Sequence, residues 1–318
     1  MSWDEHELLA RIAHRSYLDG HTQAQIATEF KLSRPKVQRL LERARSTGVV
    51  DVHIELPLGL DLDLETRLVE TFRLADAIVS PSRPDPESQR AAVARSAARY
   101  LERRLHAGSV VAVSHGRDIG EVPRAFRPSG SIACVFVSAM GGSSRVDAPT
   151  NPNEICRALA ERAGARAESL YAPAYVESAE VRDRLLEQEA VAHVLQMAAR
   201  ADVALVGIGG TDDACTMVRS GCLSLDEIAR LREQGAVGDV LGNYVDAAGA
   251  HISAPHSRRL VALSIEELRG VNVVVAVASG DEKPQAILGV LRAGIIDVLI
   301  VDQVNARAVL ALAPSGGA

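Results

Sequence analysis

The segment from Thr22 to Arg45 constrains the fold more than any other part of the sequence, because its pattern fits two short helices joined by a tight turn. Ser33 is suited to cap the second helix, and Pro35 is tolerated in its first turn. Apolar residues recur at helical spacing in both halves. They are Ile26, Ala27 and Phe30, followed by Val37, Leu40, Leu41 and Ala44. The segment therefore predicts a helix-turn-helix.

The outward face of the second predicted helix is basic. Between Lys31 and Arg45 there are six cationic residues and one acidic residue, a local charge of +5 in a chain whose net charge is −6. Arg and Lys side chains reach guanine in a major groove, and Gln reaches adenine. A solvated helical hairpin with a charged face is the alternative. The partner that we predict is double-stranded DNA, contacted by Thr22, Gln23, Ser33, Arg34, Lys36, Gln38, Arg39 and Arg43.

Two flanking segments complete the predicted N-terminal domain. Residues Glu7 to Asp19 have the pattern of a preceding helix, and Val50 to Leu56 alternate between apolar and polar, as in a half-buried strand. A strand at this point is similar to the wing of a winged helix. Pro57-Leu58-Gly59 predicts the boundary, which gives a DNA-binding domain over 1–57 and a second domain over 58–318. The amphipathic helix from Leu62 to Phe72 either links the domains or helps two chains pair.

Composition excludes several classes of protein. The longest apolar stretches are too short to cross a bilayer, and the N-terminus has no signal-peptide pattern, so we expect a cytoplasmic protein with no membrane partner. The four cysteines lack CxxC spacing, which favours free thiols. His251 and His256 could form a metal pair, but we predict no metal and no cofactor. The cysteines are Cys134, Cys156, Cys215 and Cys222.

From Ala77 onward, short apolar strands alternate with helices. Strands that are apolar throughout and separated by helices favour a parallel sheet covered on both faces. The predicted fold of the second domain is therefore a Rossmann-like α/β domain. In such sheets, ligands bind beyond the carboxyl ends of the strands. Four predicted strand ends lead into polar, mostly Gly-rich loops: Ser114–Asp118, Ser138–Ser143, Gly207–Asp213 and Ser279–Lys283. They predict a pocket for a polar small molecule, with a solvated surface lysine as the alternative role for Lys283.

The motifs of both domains occur in a linear order that resembles one family, the SorC/DeoR-type bacterial transcriptional regulators that sense sugars. The resemblance covers nearly the whole chain. It implies an effector domain similar to sugar-phosphate isomerases and deaminases, a small carbohydrate effector that is often phosphorylated, and self-association as a dimer or tetramer. The motifs are Thr22–Ala27, Ser33–Leu41, Asn151–Ile155, Gly207–Gly209, Gly235–Asp239, Asp246–Gly249, Gly280–Lys283 and Asp297–Asp302.

The loops and the resemblance together predict the effector-binding residues. Two of them depart from the family pattern. Asp118 stands where the family has a Thr that receives phosphate, and Met140 stands where some members have Lys. These departures slightly favour a neutral sugar or sugar alcohol over a sugar phosphate. The predicted residues are Gly116, Arg117, Asp118, Met140, Gly141, Gly142, Asn151, Gly207, Gly209, Asp246, Arg258 and Lys283.

Two other functions remain as alternatives. A sugar isomerase or deaminase-like enzyme would use Asp118, Asp212 or Asp213 as base with Lys283 as its electrostatic partner. An architectural DNA-binding protein would show no response to a ligand. We favour a regulator without catalytic residues, because an enzyme has no use for a groove-reading helix and similarity of fold does not transfer activity.

Overall fold

The computed structural model describes residues 5–50, 61–143, 150–280 and 283–313. Within it the chain divides into two units, Met1–Pro57 and Leu58–Ala318.

Three helices form the described part of the first unit: α1 (Glu5–Tyr17), α2 (Gln23–Phe30) and α3 (Arg34–Ser46). Thr22 caps α2 by accepting the amide hydrogen of Gln25, whose side chain bonds back to the Thr22 amide. The turn before α3 places Lys31 in the left-handed region, with φ of 55°. Ser33 occupies the N-cap of α3, but its side chain makes no capping hydrogen bond, contrary to the prediction.

The core of this unit consists of the apolar positions that the helical pattern predicts, joined by three from α1. Phe30 is only partly buried against this core. The predicted wing strand falls almost entirely on residues 51–56, which lie outside the described residues. The buried side chains are Leu9, Ile12, Ala13, Ile26, Ala27, Val37, Leu40, Leu41 and Ala44.

The second unit is built on a seven-stranded sheet in which every pairing is parallel. The spatial order of its strands is β1-β9-β8-β5-β2-β3-β4. The apolar strands predicted from Ala77 onward are all present, and β4 is an edge strand that the sequence did not predict. The strands are β1 (Asp76–Ser80), β2 (Val110–Val113), β3 (Val135–Ser138), β4 (Arg166–Glu168), β5 (Val203–Gly207), β8 (Val274–Ala278) and β9 (Val298–Asp302).

Helices cover both faces of the sheet, which explains why its central strands are apolar throughout. One apolar core joins the sheet to α5 (Pro86–Arg104), α6 (Arg117–Ala125) and α7 (Pro152–Ala163). The other core involves the opposite face, with α4, α9, α13 and α14. These helices span Leu62–Phe72, Glu189–Ala199, Pro284–Arg292 and Gln303–Leu312.

An antiparallel hairpin, β6 (Ala236–Val240) and β7 (Asn243–Asp246), stands apart from the main sheet and packs on α13. Its two turn residues, Leu241 and Gly242, both have positive φ, as a tight hairpin turn of type I′ requires. The sequence did not predict this hairpin or the short elements around it. Those elements are α8 (Ala179–Leu186), α10 (Thr216–Arg219), α11 (Leu225–Glu233), α12 (Ile265–Arg269) and a 3-10 helix, Pro255–Arg259.

The strand order reverses between β2 and β5. From β2 the chain proceeds through β3 to the edge strand β4, and from β5 it proceeds through β8 to β9, which lies beside the first strand, β1. Helices that follow β2 and β5 therefore diverge and leave a crevice at the carboxyl ends of these strands. This is the position where open α/β sheets bind ligands.

Candidate functional site

The predicted DNA-binding residues lie at the start of α2 and along α3. Seven are exposed, and Gln23 is half-buried. On α3, Gln38 donates to Glu42 at 3.0 Å between Nε2 and Oε1, and Arg39 Nε lies 3.5 Å from the Pro35 carbonyl oxygen. Both contacts are exposed. The exposed seven are Thr22, Ser33, Arg34, Lys36, Gln38, Arg39 and Arg43.

Arg45 is a further cation on α3 that the predicted contact set did not include. Its Nε donates to the Tyr17 hydroxyl at 2.6 Å, and its guanidinium carbon lies 5.5 Å from the Tyr17 ring centroid. Tyr17 ends α1, so this contact joins the end of one helix to the last turn of α3. The cation–π pair fixes the direction of the Arg45 side chain.

The predicted effector residues divide into a charged cluster at the strand ends and a neighbouring cleft. The charged cluster consists of Asp118, Lys283, Ser279 and Arg90. Asp118 lies in the first turn of α6 after β2, and Lys283 precedes α13 after β8. Lys283 Nζ donates to Asp118 Oδ2 at 2.7 Å, and the two side chains are 12% and 5% exposed. The fold thus brings together two of the predicted residues, which are 165 positions apart in the sequence.

Ser279 and Arg90 complete the surroundings of Asp118. The Ser279 hydroxyl donates to Asp118 Oδ1 at 2.6 Å and its amide to Oδ2 at 3.2 Å, while Arg90 Nε lies 3.4 Å from Oδ1. The Asp118 carboxylate thus bonds across the crevice to the loop after β8.

The ionisation of Asp118 follows from these partners. Burial opposes the charged form, but the nearby Lys283 charge, the hydrogen bonds from Lys283 and Ser279, and Arg90 together hold the pKa of Asp118 below its ordinary value. Asp118 is therefore an ionised carboxylate at neutral pH, tied to a protonated lysine. A buried pair of this kind is strongly destabilised when only one partner is removed.

Asp239 is a second buried carboxylate that we did not predict as a site residue. It is 3% exposed, and its Oδ2 accepts the Gly242 amide hydrogen at 2.8 Å. Backbone hydrogen bonds in both directions pair Asp239 with Gly209 at the end of β5. Burial raises the pKa of Asp239 to about 6, although Gly242 and the charge of Lys283 oppose the rise. Lys283 thus acts on both carboxylates.

Gly209 is needed for the close approach of Asp239, because a Cβ at this position would overlap the Asp239 carboxylate. A Cβ on Gly207 would make only ordinary van der Waals contacts, the nearest at 3.4 Å from Ile119. Gly116 has φ of 121° at the N-cap of α6, a conformation that favours glycine. Arg117, the next residue, is half-buried. These positions hold the loops after β2 and β5 against one another.

The neighbouring cleft has a volume of about 940 Å³. Gly142 and Asn151 line it, together with Ser143, Tyr175 and Arg259. Asn151 caps α7 by accepting the Asn153 amide hydrogen at 3.0 Å. The preceding residue, Thr150, accepts the Gly116 amide hydrogen at 3.1 Å, so one hydrogen bond links the edge of the cleft to the loop of Asp118.

Four predicted effector residues are placed differently from the rest. The Met140 side chain is 1% exposed within the apolar core, and Gly141 packs against Pro173, where a Cβ would lie 2.5 Å from backbone atoms. Asp246 accepts two amide hydrogens of its own turn, near the end of α13 opposite Lys283. Arg258 is exposed, while its neighbour Arg259 faces the cleft and pairs with Glu227. None of the four contributes a side chain to the charged cluster.

The described residues contain no helix long and apolar enough to span a membrane and no group of three or more potential metal ligands. The four cysteines are all free.

Comparison with known proteins matches these features to one family. Residues 57–311 match a family model described as "Putative sugar-binding domain". The erythritol catabolism regulatory protein EryD of Brucella abortus is 31% identical over 95% of this chain and 96% of its own length. The transcriptional regulator LsrR of an Enterobacter species is 34% identical over 97% and 94%.

A solved structure supports the match along the chain. The full-length sorbitol operon regulator SorC from Klebsiella pneumoniae is 27% identical, with a TM-score of 0.75 over 97% of this chain and all of that one. The family model and the two relatives, each above 30% identity over almost the full length, establish the relationship. The chain therefore belongs to the SorC/DeoR-type family of sugar-binding bacterial transcriptional regulators.

Proposed function

We propose that this carbohydrate-responsive regulator binds duplex DNA through α3 and takes its effector at the charged cluster, where the loops after β2, β5 and β8 meet. The observation that carries the proposal is the buried pair of Asp118 and Lys283 at the reversal point of the sheet. Paired charges at a ligand-binding position, in a chain that also has a basic helix-turn-helix, suit a protein that senses a polar molecule. Such a protein acts in the cytoplasm, where bacterial DNA lies.

The cluster is suited to binding and not to catalysis. A general base must be free to take a proton, and its pKa should lie near the working pH. Asp118 has a lowered pKa and is held by Lys283 and Ser279. The other two candidate bases, Asp212 and Asp213, are exposed and bonded to Ala214 and Arg232. We propose that the chain has no enzymatic activity.

The face of α3 supports the DNA part of the proposal. Among the described residues, Arg34 and Lys36 form no ion pair, and both are exposed in the first turn of α3. In a helix-turn-helix, the N-terminal residues of the second helix reach base edges, and neighbouring cations contact phosphates. Each phosphate contact releases counterions, so affinity should fall with salt at a log–log slope of about −0.9 per contact.

Fluorescence anisotropy with DNA from the region upstream of the regulated genes tests this interface. The double variant Gln38→Ala, Arg39→Ala should bind at least tenfold more weakly, since a good base contact contributes about 1–3 kcal/mol. Arg124→Ala is the control, because it removes an exposed arginine from α6, 66% exposed, in the second unit. Equal binding by the wild type and the double variant would refute the assignment of α3.

The same assay tests the effector site. Saturating carbohydrate effector should change the DNA affinity of the wild type. The variant Asp118→Asn, Lys283→Met removes both charges together and so avoids leaving one of them buried and unpaired. It should bind DNA with an affinity similar to that of the wild type but lose the response to the carbohydrate. An unchanged response would place the effector elsewhere.

A further inference from the structure

We infer that Asp118 makes the effector site selective for neutral polyhydroxy carbohydrates over their phosphorylated forms. The inference rests on the proposed function, because it concerns the same site. It assigns Asp118 the role of a specificity-determining residue.

Lys283 is already engaged. It is the one lysine of residues 58–318 in the sequence, and its ammonium is bonded to Asp118 Oδ2 at 2.7 Å. Asp118 Oδ1 is held in turn by the Ser279 hydroxyl at 2.6 Å. A phosphate group that bound the remaining donors of Lys283 would place further negative charge beside the buried Asp118 carboxylate. A neutral ligand adds no such charge.

The charges around the site are balanced without a ligand. Asp118 and Asp239 are two buried carboxylates, and the cations beside them are Lys283 and the partly buried Arg90. Burial lowers the pKa of His115 to about 4, so this imidazole adds no positive charge at neutral pH. A phosphate would therefore add negative charge that Lys283 and Arg90 do not compensate. Repulsion between unit charges about 5 Å apart at an effective dielectric near 20 weakens binding on the order of a hundredfold.

Hydroxyl groups suit the same residues. An ionised carboxylate accepts O–H hydrogen bonds strongly, and a lysine ammonium has three donors. Among the described residues the Lys283 side chain makes one hydrogen bond, to Asp118, which leaves donors for hydroxyl oxygens. Adjacent hydroxyls of a polyol can thus bridge the carboxylate and the ammonium without breaking the pair. Specificity of this kind arises as much from repelling the wrong ligand as from attracting the right one.

Arg117 is the cation that works against this inference. It is half-buried at the start of α6, directly before Asp118, and the described residues show no ion pair for it. A phosphate that bound the site would have Arg117 as its available partner. The Arg117→Ala variant therefore belongs in the experiment, because it removes the cation that a bound phosphate would use.

Isothermal titration calorimetry with matched pairs tests the inference. The probes are erythritol and sorbitol, each beside its monophosphate, together with four- to six-carbon aldoses and their monophosphates. For the wild type, we expect at least one neutral member to bind and its phosphate to bind about a hundredfold more weakly or not at all. The wild-type titrations decide the ligand class by themselves, even if a variant fails to fold.

The variant Asp118→Asn tests the role of the residue. The amide keeps the size of the side chain and an oxygen acceptor for Ser279, but it releases Lys283 from its ion pair. We expect the neutral ligand to bind more weakly and the phosphate at least tenfold more tightly. Glu121→Gln is the matched control, since it removes a carboxylate from the same helix, where Glu121 pairs with the exposed Arg124. Its preference should equal that of the wild type.

The possible failures are distinguishable. Tight binding of a phosphate but not of its parent, lost in Arg117→Ala, would overturn the inference and leave the proposed function intact. An unchanged preference in Asp118→Asn would equally overturn the role of Asp118. If no carbohydrate of either kind bound or altered DNA affinity, the proposed function would fail, and the inference with it.

Discussion

At the residue scale, two buried aromatic side chains have polar atoms without partners. Tyr244 is fully buried, and neither its hydroxyl nor His256 Nε2 has a hydrogen-bond partner among the described residues. The two rings meet edge to face, with centroids 5.4 Å apart. Burial lowers the pKa of His256 to about 4. This histidine therefore resists protonation in the folded chain.

The lowered pKa of His256 predicts a loss of stability in acid. The unfolded state takes up a proton as pH falls below about 6.5, whereas the folded state takes it up only near pH 4. The free energy of unfolding should therefore fall across this window by about 3 kcal/mol from this group. His256→Phe keeps the ring contact with Tyr244 and should remove that share of the loss. Urea denaturation at several pH values between 7 and 4 measures the free energy of unfolding. If this free energy depended on pH in the same way in the variant and the wild type, the assignment to His256 would be contradicted.

The sequence indicated some of the site residues but not their bonding. Lys283 and Asp118 follow predicted strands, so their convergence at one edge of the sheet could be expected. That Asp118 bonds to Ser279 rather than to its own helix depends on the side-chain packing of three loops, which no local pattern records. Asp239 was missed because its importance arises from a long-range pairing with Gly209. The family motif Gly235–Asp239, which contains Asp239, was the feature of the sequence that could have identified this residue.

At the element scale, local periodicity predicted several of the long elements but missed the 11-residue helix α9 and most of the short elements. The ends of α4 agree with the predicted helix from Leu62 to Phe72. Apolar faces, N-terminal prolines and capping residues define such helices locally. The hairpin β6–β7 and the short helices α10 and α12 depend on contacts with the rest of the unit, since helices this short are unstable alone.

The packing of α13 on the hairpin predicts an unusual effect of alanine. A Cβ at Gly289 would lie 2.5 Å from Val237 Cγ2 and 2.7 Å from the Asp246 carbonyl oxygen. Helix propensity alone favours alanine over glycine by about 1 kcal/mol. Overpacking typically costs about 1–3 kcal/mol, so Gly289→Ala should destabilise the chain instead of stabilising it.

Chemical denaturation measures this change, and Gly130→Ala serves as control because no atom lies within 4 Å of the added Cβ. Gly289→Ala should also weaken effector binding, since α13 begins next to Lys283. A stabilised Gly289→Ala variant would show that α13 moves away from the hairpin at little cost.

At the scale of the whole molecule, the sequence predicted a DNA-binding unit and a parallel α/β unit, and the family match supports that combination. The order of the strands could not be predicted in the same way. It follows from which non-neighbouring segments pair, such as β1 with β9, which are more than 200 residues apart. The chemistry at the strand ends was visible in the sequence, but the reversal between β2 and β5 that creates the crevice was not.

The last prediction concerns the number of chains on DNA. A single helix-turn-helix contacts too few base pairs to be specific, and proteins of this kind bind pseudo-palindromic sites as symmetric dimers. We therefore expect a dimer, or a pair of dimers, on an inverted repeat. Light scattering of the free and DNA-bound chain measures this directly. Inserting about five base pairs between the half-sites turns one of them to the opposite side of the duplex, because a helical turn takes 10–10.5 base pairs. Affinity should then fall towards that of a single half-site, whereas an insertion of about ten base pairs should restore part of it. A monomer in both states, with affinity independent of the spacing, would contradict the prediction.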